Sequence, residues 1–394
     1  MKILLTTDIY KPMANGVVRS VLNLSEQLKQ QGHEVRILTP GEYPRSIYEN
    51  GVYHMRSANA DYVYPGARMV MSFSGDMMDD LYRWHPDVVH SYGELSTWIM
   101  ARKVSRRCGS VWVHTCHTWY NGDSEYFQSW GKLGKRLFFK AFRWQLSRND
   151  CIIVPSEEME AVLKNQNINR PIRCVPFGVD LRRFCPGRSE KNIRFLRKKY
   201  GIDDKDKVLL YVGGMYKEKN LELLLEHFPE ILRSAPDTKL LLVGDGSYRT
   251  ELEMEAESKG LGSSVRFAGQ VPLDVVYDHY ALADIFVTAS RHTVQGMAPM
   301  EAMACGLPVV CRKNVSISRR IVDGVNGFLF EEAKDFAASV LWILDHPSLA
   351  EAMGHNARIT AEGFSKEQFG REVEKVYMEC LDEGKRAAKS HQTA

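Results

Sequence analysis

Lys207-Val208-Leu209-Leu210-Tyr211-Val212-Gly213-Gly214 is the point at which the sequence begins a second time. A short apolar strand runs into glycines, a helical stretch follows around Leu221 to Leu232, and the next strand, Lys239 to Val243, ends at Gly244 and Gly246. Further strands are predicted at Val265-Arg266-Phe267, Ile285-Phe286-Val287 and Pro308-Val309-Val310. The chain opens in the same order: strand Lys2 to Thr7, turn Asn15-Gly16, helix Val17 to Gln31 stopped by Gly32, and strand Val35 to Leu38. Strand-like runs then recur at Pro86–His90, Val111–His114, Cys151–Val154 and Arg173–Pro176. Strands alternating with helices build a parallel, doubly wound sheet, so the sequence predicts an α/β protein of two Rossmann-like halves in tandem. The polar run Gly187 to Asp206 is the expected linker. It divides the chain into residues 1–185 and 186–370, leaving 371–394 as a C-terminal helix, packing back on the first domain, and a polar tail.

The length agrees, since 394 residues exceed what one core usually organises. With 44% apolar, 10% aromatic and 26% charged residues, the composition is that of a globular protein and excludes a disordered or collagen-like chain. Eight scattered cysteines without a C-x-x-C pair argue against a disulfide framework or a zinc ribbon and favour a reducing cytosol. Neither a signal-peptide pattern at the first residues nor an apolar run of membrane-spanning length is present, so membrane contact is expected to be peripheral. The formal charge of +3 is unevenly spread: ten Lys/Arg against two acids lie between Arg102 and Arg148.

Doubly wound sheets bind ligands outside the carboxyl ends of their strands. Asn15-Gly16 is one candidate lip, readable either as a tight turn or as a ligand contact. In the second half, the segment from Ser290 to Val310 is a strand, a polar loop and a helix beginning near Met297. The amides at Gly296 and Met297 would face a phosphate with the helix dipole behind them, and Glu301, one turn on, would accept from ribose hydroxyls. Lys219, after Gly213-Gly214, would bracket a diphosphate from the other side, although a lone lysine on a helix face is also simply solvated.

In these residues the chain resembles retaining glycosyltransferases of the GT-B architecture, in the large family that includes phosphatidylinositol mannosyltransferases, sucrose synthases and diacylglycerol glucosyltransferases. The resemblance runs over almost the whole chain. It rests on the Gly16 loop, on His117 in Val113-His114-Thr115-Cys116-His117-Thr118, on Pro176-Phe177-Gly178-Val179-Asp180, on the glycines before Glu218-Lys219, on Phe267-Ala268-Gly269, and on Gln295 to Glu301 ahead of Gly306-Leu307-Pro308. It implies a nucleotide-sugar site in the C-terminal domain and an acceptor site in the N-terminal domain, facing each other across a cleft. Donor-binding residues would be Gly16, Gly213, Lys219, Arg266, Phe267, Thr293, Gln295, Gly296, Met297, Ala298 and Glu301, with the base near Arg266 and Phe267. His117 and Lys219 would be catalytic, and His117 and Tyr120 would meet the acceptor; the alternative for His117 is a core histidine. Neither metal nor cofactor is implied. Two departures stand out: Thr293 occupies the place of the family's usual glutamate eight residues before Glu301, and Gly214 that of its usual arginine.

Trp130 to Trp144 interleaves five basic residues with two Trp and three Phe, which suits either an anionic bilayer surface or a helix with a buried aromatic face. Asp61 to Arg68 and His117 to Tyr120 resemble segments of glycolipid-forming members. The expected activity is therefore retaining, metal-independent transfer of a hexose from a nucleotide diphosphate sugar such as UDP-glucose to diacylglycerol or another membrane lipid, on the inner face of the cell membrane. Alternatives are a saccharide acceptor of a cell-surface polysaccharide, a sugar-nucleotide 2-epimerase, and a catalytically silent binding subunit. No nucleic-acid module is recognised.

Overall fold

The computed structural model describes residues 1–13, 15–60, 67–117, 132–166, 168–187, 190–291 and 296–392. They form two units, Met1–Gly178 together with Lys366–Ala394, and Val179–Ser365. The first contains β1 (Lys2–Thr6), α1 (Gly16–Gln30), β2 (Glu34–Gly41), β3 (Ile47–Glu49), β4 (Val52–Asn59), β5 (Arg68–Val70), α2 (Asp76–Trp84), β6 (Val88–Ser91), α3 (Ser96–Cys108), β7 (Val111–Thr115), α4 (Lys132–Leu146), β8 (Cys151–Val154), α5 (Glu157–Asn165) and β9 (Ile172–Cys174). The strand order is β3-β4-β2-β1-β6-β7-β8-β9, with β5 added to β4. Strands β3 and β5 run antiparallel to β4, and the others are parallel. Ile3, Leu4 and Leu5 of β1 are fully buried, which explains why this strand reads as an unbroken apolar run rather than an alternating one. On α1, Asn15 caps the start by accepting from the Val18 amide at 2.9 Å, and Val18, Val21, Leu24 and Leu28 form the inward stripe.

The second unit contains α6 (Glu190–Tyr200), β10 (Lys207–Val212), a 3₁₀ turn (Lys217–Lys219), α7 (Leu221–Ser234), β11 (Thr238–Val243), α8 (Arg249–Ser258), β12 (Val265–Gly269), α9 (Val276–Leu282), β13 (Ile285–Thr288), α10 (Met297–Ala304), β14 (Val309–Arg312), α11 (Val315–Ser318), β15 (Gly327–Phe330), α12 (Ala333–Asp345) and α13 (Pro347–Glu362). Its six strands are all parallel, in the order β12-β11-β10-β13-β14-β15. Alternate residues of β10 feed opposite cores: Val208 and Leu210 join one cluster, Leu209 and Tyr211 the other. Both faces are therefore covered, as a doubly wound sheet requires. The last helix, α14 (Lys366–Gln392), returns to the first unit and packs on α1. Lys366 pairs with Glu26 at 2.8 Å, and His33 Nε2 lies 2.8 Å from Glu374.

The division differs from the expected one at 185 and 370. Gly187 to Asp206 is not a linker: within it α6 buries Leu196 and Tyr200 in the second core, followed by Ile202, while its many charges face outward. The chain crosses instead at Gly178, inside Pro176-Phe177-Gly178-Val179-Asp180. The Gly178 carbonyl accepts from Asn23 Nδ2 at 3.0 Å, and a Cβ on Gly178 would stand 2.4 Å from the Lys366 Cα. The outgoing and returning strands of backbone thus touch where only glycine fits. Gly178→Ala is expected to lower stability by roughly 1–3 kcal/mol, as overpacking does. A thermal midpoint equal to the parent's would refute that reading of the motif.

Candidate active site

In the second unit β10 lies between β11 and β13, so the loops leaving β10 and β13 turn apart and open the crevice where such sheets take ligands. The loop after β10 carries Gly213 and Lys219. Its backbone is interleaved with the neighbouring loops: the Gly213 amide donates to the Val243 carbonyl, Met215 to Asp245, and Gly244 to Gly269, each at 2.9 Å. Gly244, at φ +139°, has no room for a side chain, because a Cβ there would lie 1.8 Å from the Gly213 carbonyl oxygen. Contacts of this kind hold the edge rigid before any ligand arrives. The Lys219 side chain is 27% exposed, and its partner among the described residues is Glu218, 3.9 Å away. Burial lowers the Lys219 pKa, with Glu218 acting in the opposite direction. Gly214, in the place of the usual arginine, is filled from elsewhere: a Cβ there would meet the Tyr216 ring at 2.4 Å.

The loop after β13 enters α10 at Gly296, which takes the left-handed conformation at φ 71° and has no side chain to cap the helix. Met297 and Ala298 follow as the first helical residues, so their amides point out of the helix start, and no acid occupies the first turn. Glu301 is only 1% exposed, and its carboxylate accepts from the Tyr280 hydroxyl at 2.8 Å. The ring of Tyr280 is itself fully buried, which fixes the carboxylate beneath the helix start. Thr293 and Gln295 lie outside the described residues.

The Arg266 guanidinium is engaged by backbone carbonyls. Its Nε donates to the Tyr200 carbonyl at 2.6 Å, Nη1 to Gly262 at 2.7 Å and Val265 at 3.0 Å, and Nη2 to Ser263 at 3.0 Å. These contacts close the loop entering β12, near the start of the strand, and spend the guanidinium on backbone carbonyls. Phe267, the next residue, packs against the opposite core.

The first unit has the same topological break between β1 and β6, since β1 lies between β2 and β6. Asp8, just past β1, accepts from the amides of Glu94 (2.8 Å), Leu95 (2.8 Å) and Thr97 (3.1 Å), and from the Thr97 hydroxyl (2.8 Å). It thereby caps α3 and shapes the loop after β6. Gly93 is required there, because a Cβ would fall 2.5 Å from the Asp8 carboxylate and 2.0 Å from the Thr97 hydroxyl oxygen. Sequence reasoning missed Asp8, although an acid directly after a buried strand was a usable signal. Gly16 begins α1 and is exposed. His117, two residues past β7, is half-buried and donates from Nε2 to the Tyr92 carbonyl at 2.6 Å. A carbonyl can only accept, so this contact fixes the Nε2–H tautomer of the neutral ring. Burial lowers the His117 pKa, partly offset by that carbonyl and by Asp8. Tyr120 lies outside the described residues.

Helix α4 has one buried and one exposed side. Phe142 and Leu146 are buried in the core, whereas Leu133 (70% exposed) and Leu137 (58%) face outward with Arg136, Lys140 and Arg143. Trp130 lies outside the described residues. Beside α4, a cavity of about 690 Å³ is lined by Trp98, Ile99, Arg102, Lys103 and Arg106 of α3 and by Trp144. The Arg102 guanidinium sits 5.9 Å from the Trp98 ring centre and 5.2 Å from that of Trp144. No described helix is long and apolar enough to cross a membrane.

Comparison with known proteins places these features. Residues 14–183 match the Glycosyltransferase Family 4 model, and residues 192–360 match the model described as Glycosyl transferases group 1. The chain is similar to alpha-monoglucosyldiacylglycerol synthase of Streptococcus pneumoniae, 27% identical over 97% of this chain and 86% of that protein. The synthase of the same name from Acholeplasma laidlawii is 26% identical, over 97% of this chain and 98% of its own length. Among solved structures, Anabaena HepE in complex with UDP-glucose superposes with a TM-score of 0.75 at 16% identity, covering 96% of this chain and all (100%) of that one. With two parallel Rossmann-like sheets, glycine-lined loops at both switch points and family matches along both units, the chain belongs to the GT-B glycosyltransferases.

Proposed function

We propose that the protein is a retaining, metal-independent glycosyltransferase that moves a hexose from UDP-glucose or a similar nucleotide diphosphate sugar to the free hydroxyl of diacylglycerol. The observation that carries this reading is the similarity, over 97% of the chain, to two synthases named for that product. The site chemistry supports it. Lys219 and the outward amides at Gly296, Met297 and Ala298 supply positive charge where a diphosphate leaving group gathers negative charge, so they stabilise the transition state more than the bound donor. The departing phosphate then takes the acceptor proton on the same face of the sugar, which retains the configuration without a protein nucleophile. Glu301 holds the ribose hydroxyls, and His117 meets the sugar and acceptor. The exposed cations and leucines of α4, with the Arg102-Trp144 face, suit an anionic membrane surface and support a peripheral position on the cytosolic leaflet.

The test is transfer from radiolabelled UDP-glucose to diacylglycerol in anionic phospholipid vesicles, with and without EDTA. The expected product is α-glucosyl diacylglycerol in equal yield in both. Complete loss with EDTA, restored by a divalent ion, would overturn the metal-independent mechanism. Transfer only to a soluble saccharide would overturn the acceptor, and no turnover of any donor would leave a binding subunit.

A further inference from the structure

We infer that Tyr377, on the C-terminal helix, is a positioning residue for His117, acting through His90. His90 lies in β6 and is fully buried. Its Nδ1 is 2.6 Å from the Tyr377 hydroxyl, and its Nε2 is 2.6 Å from the Thr115 hydroxyl on β7. One imidazole therefore ties together the ends of β6 and β7, and these two strand ends carry the pair that matters. Tyr92, two residues after His90, stacks on the His90 ring at 4.7 Å and offers its carbonyl to His117 Nε2. His117 itself stands two residues after Thr115, with its ring stacked toward Tyr92 at 6.5 Å.

The heavy-atom arrangement is held at both ring nitrogens of His90. Burial and the nearby His114 press the His90 pKa down to about 3, so the ring stays neutral and needs one hydroxyl as donor and the other as acceptor. Tyr377 meets the ring edge-on at 5.6 Å and an interplanar angle of 84°. Its helix is clamped along its length by Lys366–Glu26, His33–Glu374 and the Arg173–Glu379 pair at 3.1 Å. Buried networks of this kind specify orientation as well as stability. Without the Tyr377 hydroxyl, His90 is free to turn, the Tyr92 carbonyl loosens from His117, and the Nε2–H tautomer of His117 is no longer enforced.

This inference rests on the reading that His117 works at the transfer site, so His117→Ala is the reference. Tyr377→Phe removes one oxygen and keeps the ring. Expected results are a fall in kcat, per folded enzyme, of roughly tenfold or more with the donor KM unchanged, and a mixed tautomer signature for His117 in selectively ¹⁵N-histidine-labelled protein. Thr115→Val, which removes the other His90 contact, is expected to show the same signature, and the double variant to be no worse than the more impaired single. If His117→Ala impairs transfer while folded Tyr377→Phe and Thr115→Val keep the parent kcat and a single Nε2–H His117 signal, the inference is overturned. A loss of thermal stability with unaltered kcat per folded enzyme also overturns it, because the contact is then structural only. If His117→Ala itself leaves transfer intact, the underlying reading of His117 fails instead.

Discussion

Lys219→Ala is expected to cut kcat by roughly 30- to 1,000-fold while the protein stays folded. The size follows from deleting one charged donor aimed at a leaving group, which costs about 2–4 kcal/mol at preorganised sites, with each factor of ten worth about 1.4 kcal/mol. The structure supports the sparing of stability: the side chain is partly exposed, and its described partner is a glutamate at 3.9 Å, a separation at which a surface pair contributes little. The surroundings also explain why one lysine carries so much. Gly214 replaces the usual arginine, and the Tyr216 ring fills the space into which any side chain there would grow. In the proposed clamp, the cationic half among the described residues is Lys219, with the amides at the start of α10 opposing it. Lys219→Arg should recover only part of the rate, since a planar fork does not reproduce a compact ammonium. Unchanged kcat in Lys219→Ala would remove the diphosphate from this loop.

The repeated strand-and-glycine order was legible because parallel strands covered on both faces must be apolar throughout, as in β1 and β10, and because close backbone approach demands glycine, as at Gly244. What stayed hidden has physical causes. In β4, inside and outside alternate, but a polar Ser57 sits on the buried side and an apolar Ala58 on the exposed side, which blurs the pattern in the sequence. α6 reads as a linker because two thirds of a helix surface faces water, and its charges outnumber the buried Leu196 and Tyr200. The contacts of the Arg266 guanidinium with the carbonyls of Tyr200 and Gly262 are set by the fold, and the motif it stands in does not report them. The His90–Tyr377 contact joins residues 287 apart in sequence, and no local periodicity reports such a pair.

The ribose role proposed for Glu301 and its part in the fold are read apart by two substitutions. Glu301→Ala removes a carboxylate acceptor of the buried Tyr280 hydroxyl, and losing a hydrogen bond to a charged group costs about 1.5–3 kcal/mol, so the thermal midpoint should fall clearly. The same change should weaken UDP binding, because the carboxylate proposed to hold the ribose is gone. Glu301→Gln keeps an amide oxygen within reach of Tyr280, and stability should stay near that of the parent. Hydrogen bonds to a charged group are worth about 1.5–3 kcal/mol against about 1 for a neutral pair, so exchanging carboxylate for amide should still raise the UDP dissociation constant roughly five- to tenfold. Calorimetric titration with UDP, alongside thermal unfolding of the free proteins, measures both. Should Glu301→Gln bind UDP as tightly as the parent while Glu301→Ala loses only stability, the carboxylate serves Tyr280 and the α10 packing, and the ribose is held elsewhere.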